Sequence, residues 1–164
     1  MSNSTHPDAD ELDAAMLQVL QRANADCVVL AGFMKKVGPR TLAAFSGRIL
    51  NTHPALLPKF GGQGMYGRRV HEAVLAAGET RTGVSVHLVT ADYDAGPVIA
   101  QTEAPVHAGE SVEALAQRVQ AVEREFLVRT LQNIACGNMR LTALNTPPEP
   151  PCPPPHHRRK SQHP

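Results

Sequence analysis

Apolar residues along the chain fall into two rhythms, one of helical period and one of short uninterrupted or alternating runs. Leu12, Met16, Val19, Leu20 and Ala23 keep the spacing of one helix face. They follow Thr5-His6-Pro7-Asp8, where a capping residue and an early proline suit a helix start, so the spacing predicts a helix over residues 8–23. The run Asp26-Cys27-Val28-Val29-Leu30-Ala31-Gly32 is continuously apolar until glycine ends it, which predicts a strand buried on both faces. Arg48-Ile49-Leu50-Asn51 repeats that pattern after a helical segment near residues 39–45. Strand, crossover and strand imply a parallel α/β unit.

Prolines and glycines make a loop of residues 56–64, and a helix follows over 70–77. Two more strands are predicted at 83–89 and 97–106, the first alternating Val84, Val86 and Leu88 with Ser85 and His87. A long amphipathic helix runs from Ser111 to near Gly137 with Leu115, Val119, Val122, Phe126 and Leu127 on its core side. The predicted fold class is therefore α/β, a mixed and mainly parallel sheet with flanking helices. Prolines and basic residues dominate from Pro147 to Pro164, including His156-His157-Arg158-Arg159-Lys160, a stretch with almost nothing to bury. This divides the chain into a globular domain over 1–140 and a disordered Pro-rich basic tail over 141–164.

Composition narrows the partners. A chain of 164 residues with 42% hydrophobic content builds one core. The formal net charge of +1 argues against a nucleic-acid backbone or an anionic membrane as main partner. Cys27, Cys136 and Cys152 show no paired metal spacing, and an odd number of cysteines speaks against a disulfide framework. No apolar run nears the ~20 residues of a membrane span, and the N-terminus has no hydrophobic signal segment. A cytoplasmic protein acting on small molecules is expected.

Two clusters carry candidate chemistry. In Asn51-Thr52-His53-Pro54-Ala55-Leu56-Leu57-Pro58, polar Asn51 and His53 end an apolar strand, where ligands bind in open α/β sheets. Residues two apart on an extended segment point the same way, so the amide and the imidazole can converge on one atom. Asp92-Tyr93-Asp94-Ala95-Gly96-Pro97 is a turn around a carboxylate. Amide donor, imidazole and carboxylate suit acyl transfer, which needs oxyanion stabilisation and a proton relay. His87, on an alternating strand, reads as structural support. His53, His71, His87 and Asp94 match no metal-ligand spacing, so no metal is expected. Gly61-Gly62-Gln63-Gly64 lacks the lysine of a phosphate cradle and reads as an active-site flap. Lys35-Lys36 and Arg68-Arg69 read as solvated surface.

Val29-Leu30-Ala31-Gly32-Phe33-Met34, the Asn-x-His-Pro-x-Leu-Leu-Pro run at 51–58, and Gly83-x-Ser-Val-His with Asp94-x-Gly-Pro-Val resemble the glycinamide ribonucleotide formyltransferase family in order and spacing. The resemblance covers roughly residues 5–137 and implies a partial Rossmann-like formyltransferase fold. It also implies the family's reaction, passage of a formyl group from 10-formyltetrahydrofolate to the amino group of glycinamide ribonucleotide in purine biosynthesis. By this resemblance Asn51 donates to the tetrahedral oxyanion, and His53 stabilises the same charge or assists proton transfer. Asp94 orients the imidazole, favours its charged form and helps move the amine proton. Backbone around Met34, Lys35, Lys36 and Val37, with Val89, Thr90, Ala91, Asp92 and Tyr93, would hold the folate pteridine. Gln120 and Glu123 match helix positions that contact the ribonucleotide, and Lys36 or Arg68 could meet the folate glutamate tail.

The sequence also departs from the family pattern. The family opens with a strand and a Gly-Ser-rich phosphate-binding loop that nothing here matches, so an N-terminally truncated catalytic half is expected. The arginine some members place ahead of the first helix has no counterpart in Asp8-Ala9-Asp10, and Lys35 stands where some have arginine. A strand edge left open would favour self-association or a missing N-terminal half supplied in trans. Alternatives of the same class are formyltetrahydrofolate deformylase, which passes the formyl group to water, and methionyl-tRNA formyltransferase, for which no basic C-terminal domain is present. A non-catalytic folate-binding remnant is the alternative from another class.

Overall fold

A computed structural model describes residues 8–33 and 35–141. In chain order they form α1 (Ala9–Arg22), β1 (Val28–Leu30), α2 (Pro39–Ala44), β2 (Ile49–His53), α3 (Arg68–Ala76), β3 (Arg81–Leu88), β4 (Val98–Pro105) and α4 (Val112–Ala135). Met34 and residues 142–164 of the tail expected over 141–164 lie outside the described residues. Side-chain caps start both long helices. Asp8 accepts from the Asp10 N–H at 2.9 Å, and Ser111 accepts from the Ala114 N–H at 3.2 Å, each satisfying a donor that the first turn leaves free.

The sheet runs β1-β2-β3-β4. It is mixed as the sequence predicts, but the expected parallel majority does not hold. Among the described strands only β1 and β2 pair in parallel, across α2, while β2–β3 and β3–β4 are antiparallel. The reason lies in the connection between β2 and β3, which leaves and re-enters at the same end of the sheet, where His53 stands opposite Ser85. Ser85 holds that connection down: its hydroxyl donates to the Ala55 carbonyl at 2.7 Å and accepts from the Leu57 N–H at 3.0 Å. Gln101 Nε2 adds bonds to the Leu57 carbonyl at 2.9 Å and to Ser85 Oγ at 2.8 Å.

β1 is shorter than the run at 26–32 suggests and is not covered on both faces. Among the described strands it stands at the sheet edge, Val28 and Val29 are half-buried, and Gly32 turns the chain away with φ +64°.

Strand alternation sorts side chains to two sides. Leu50, Val84, Val86 and Leu88 pack with Val74 of α3 and Leu115, Val119 and Phe126 of α4. Ile49 turns the other way, to Leu30, Val37 and Phe45, backed by Met16, Leu17 and Leu20 of α1. Asn51 and His53 share the parity of Ile49 but lie further along β2, at its carboxyl end.

On that second side a buried carboxylate does the work of a helix cap. Gly38 precedes α2 and offers no side-chain bond. Asp13 of α1 instead accepts from the Arg40 N–H at 2.8 Å, the Thr41 N–H at 3.1 Å and the Thr41 hydroxyl at 2.5 Å. Burial would raise the Asp13 pKa, but the Thr41 hydroxyl and the two N–H groups bring it below 3.8.

Candidate active site

Residues at the carboxyl ends of β1 and β2, with His87 of antiparallel β3 and Val89 just after it, line a cavity of about 480 Å3. Of the residues expected from the sequence, Asn51, His53, Asp94 and His87 line it, with Lys35, Lys36 and Val37 on one wall and Val89, Thr90, Ala91, Asp92 and Tyr93 on another. Gln120 and Glu123 of α4 line a further part. Met34 lies outside the described residues. Arg68 pairs instead with Glu72 and Glu113 on the exposed surface, whereas Lys36 reaches over the Tyr93 ring at 5.0 Å.

His53 and Asp94 face each other, with Nδ1 3.5 Å from Oδ2. His53 is 3% exposed, and its Nε2 lies 2.7 Å from the Phe60 carbonyl. A carbonyl only accepts, so Nε2 carries the ring proton and Nδ1 is left bare toward Asp94. Burial lowers the His53 pKa below 6.5; Asp94 and the Phe60 carbonyl pull it upward without overcoming that loss of solvation. Asp94 favours the charged form, but the loss of solvation on burial outweighs it.

Asp94 sits in the loop between β3 and β4 with φ +52°, a left-handed conformation that few residues other than glycine, asparagine and aspartate adopt without strain. The loop closes tightly beneath it: a Cβ on Gly96 would lie 1.8 Å from the Leu88 carbonyl oxygen. Burial alone would raise the Asp94 pKa. The imidazole of His87, the Gly62 N–H and the neighbouring His53 outweigh it and hold the carboxyl below 3.8. His87 completes the group, with Nε2 3.5 Å from Asp94 Oδ1 and 3.2 Å from Asn51 Nδ2.

The loop read as a flap folds over these residues. The Gly62 N–H donates to Asp94 Oδ2 at 3.0 Å. Gly61 admits no side chain, since a Cβ would fall 2.4 Å from Leu57 Cδ2 and 3.3 Å from Asp94 Cβ. Sequence reasoning missed these backbone partners of His53 and Asp94. It missed Thr52 as well, whose hydroxyl donates to Glu123; strand alternation, which turns Thr52 toward α4, was the available signal. Buried His71, its pKa lowered by burial, also went unassigned.

The arrangement offers an amide donor, an imidazole with a bare nitrogen and a carboxylate around one cavity, a set able to stabilise an oxyanion and carry a proton. The family model described as Formyl transferase matches residues 1–131. Phosphoribosylglycinamide formyltransferase of Mycobacterium tuberculosis is 45% identical over 130 residues, covering 79% of this chain and 58% of the relative. The chloroplastic enzyme of that name from Arabidopsis thaliana is 42% identical over 116 residues, covering 71% of this chain and 40% of the relative. Glycinamide ribonucleotide transformylase 1 from Symbiobacterium toebii superposes with a TM-score of 0.77 at 37% identity, covering 87% of this chain and 65% of that one. The chain thus spans less than two thirds of the length of these relatives.

Proposed function

Because the chain belongs to the formyl transferase family, we propose that it transfers the formyl group of 10-formyltetrahydrofolate to the amino group of glycinamide ribonucleotide, with Asn51, His53 and Asp94 as reaction centre. The observation that carries this reading is the meeting of His53 and Asp94, 3.5 Å apart, on one cavity with the Asn51 amide. The pteridine lies against the walls formed by Lys35 to Val37 and Val89 to Tyr93, and the ribonucleotide lies toward Gln120 and Glu123. The free thiols of Cys27 and Cys136 suit a reducing, cytoplasmic compartment. No helix among the described residues is long and apolar enough to cross a membrane.

The substrate amine attacks the formyl carbon, and the carbonyl electron pair moves onto oxygen, to which an Asn51 N–H donates a hydrogen bond. The attacking nitrogen then sheds a proton. The bare Nδ1 of His53 takes it, directly or through water, and Asp94 stabilises the imidazolium so formed. Collapse restores the carbonyl, breaks the bond to N10 of the folate and returns the proton to that nitrogen. The amine is the nucleophile throughout, so no covalent enzyme intermediate forms.

The test is release of tetrahydrofolate by the full chain with 10-formyltetrahydrofolate, with and without glycinamide ribonucleotide. Release that depends on the ribonucleotide and yields the formylated product supports the reading. Release of formate at the same rate without it overturns the reading in favour of a deformylase, and folate binding without turnover overturns it in favour of a binding protein.

A further inference from the structure

Asn51 and His87 stand directly opposite each other on the antiparallel β2–β3 pair, which places their side chains on one face within reach. Beside them the β3–β4 register slips by one residue between Val86 and His87, an irregularity of the kind that re-aims a side chain. The His87 ring is 2% exposed. Its Nδ1 lies 3.0 Å from the Leu88 carbonyl oxygen, and its Nε2 lies 3.2 Å from Asn51 Nδ2.

These two contacts are both shorter than the 3.5 Å from Nε2 to Asp94 Oδ1, and together they favour one tautomer. A carbonyl oxygen accepts and cannot donate, so in the neutral ring the proton is on Nδ1 and points to Leu88. Nε2 then presents a lone pair, and the amide nitrogen of Asn51, which only donates, is the partner that fits. With the proton on Nε2 instead, two donors would oppose each other, and the Asn51 amide would turn to offer its oxygen. A doubly protonated ring would likewise release the Asn51 N–H and give its Nε2 hydrogen to Asp94 Oδ1, 3.5 Å away.

We propose that His87 is a positioning residue that fixes which end of the Asn51 amide faces the cavity, so that the second hydrogen on Asn51 Nδ2 is held out to the developing oxyanion. The proposal rests on the formyl-transfer reading for its consequence and on the His87 contacts for its structure. His87 does not itself touch the reacting atoms. It acts through Asn51, as the outer partner of a metal-bound histidine acts through its ligand.

Two measurements on the full chain test this. Nitrogen-15 NMR of the histidine rings, with His87 assigned by the signals lost in His87→Leu, is expected to show Nδ1 protonated and Nε2 bare; the opposite tautomer overturns the proposal whether or not the chain is active. In the formyl-transfer assay His87→Leu is expected to lower kcat about tenfold or more with the folate KM unchanged, since the lost interaction is one made in the transition state. In an Asn51→Ala background the same substitution is expected to change kcat by less than about twofold, because coupled residues are not additive. His87→Gln, which keeps an acceptor for Asn51, is expected to recover part of the loss. Equal losses in both backgrounds, or a change in KM alone, overturn the proposal even with the expected tautomer. A parent chain that transfers no formyl group fails the functional reading, and the ring tautomer then decides this inference by itself.

Discussion

On the side of α3 and α4, Leu50, Val84, Val86 and Leu88 close against Val74, Leu115, Val119 and Phe126. On the side of α1 and α2, a smaller group of Leu30, Val37, Phe45 and Ile49 is backed by partly buried residues of α1, beside an edge strand. Asn51, His53 and His87 belong to strands whose other faces are anchored in the deeper core. The Lys35 to Val37 wall belongs to the shallower side, and the α2 start that follows it depends on the polar tether from Asp13. Hydrophobic depth therefore holds the strands that carry Asn51, His53 and His87, while one carboxylate steadies the start of α2 next to Lys35 to Val37.

The largest expected effect lies in the deep core. Leu50→Ala is expected to cost about 2–5 kcal/mol, read as a fall in the urea midpoint at constant slope, and a loss no larger than that of an edge residue would erase the contrast. Asp94→Asn is expected to lower formyl transfer by about 10² to 10³ with little change in melting, because asparagine also tolerates the left-handed backbone. Folate affinity lost with turnover per bound folate intact would put Asp94 in the ligand wall rather than the reaction centre.

Asp13→Ala removes three hydrogen bonds at the α2 start, and the loss of a cap is expected to cost about 1–2 kcal/mol. Folate should bind more weakly while kcat stays near the parent value; a kcat that falls as well would mean the two sides are not separable. Asp13 also sets a sign with pH. Its folded pKa lies below 3.8, so the unfolded chain binds more protons there, and stability is lost as pH falls from 3.8 through the folded value. His53 and His71, lowered from 6.5, act in the same direction from pH 6.5 downward. Melting temperatures measured across that range should fall toward acid, and a rise would contradict the burial of both rings. The smallest effect is expected at the edge, where Val28→Ala should cost about 1 kcal/mol, since the two methyl groups it removes are only half-buried. A loss as large as that of Leu50→Ala would show that a partner covers the edge.

Much of this was legible from residue pattern. The long helices announce themselves by period and cap, and the positions of Asn51 and His53 at a strand end and of Asp94 in a loop between strands were readable too. The direction of β3 was not, because alternation fixes which face a residue takes and says nothing of which way its strand runs. The tether from Asp13 was hidden for a different reason: its partners are backbone groups 27 and 28 residues away. The partners of His53 and Asp94 in the flap are likewise a carbonyl and an N–H that every sequence supplies. The tautomer of His87 follows from such groups as well.

The flap has one consequence for how a ligand arrives. Phe60 and Gly62 already occupy His53 Nε2 and Asp94 Oδ2, so any molecule that bonds to those atoms enters by exchange rather than addition. A displaced carbonyl or N–H stays tethered beside the site at high effective concentration. The trade is one hydrogen bond for another, which avoids leaving a buried imidazole or carboxylate without a partner. The same backbone is at hand to reclaim both side chains when a bound molecule leaves, and the loop thereby serves as the site's own resident occupant while the cavity is empty.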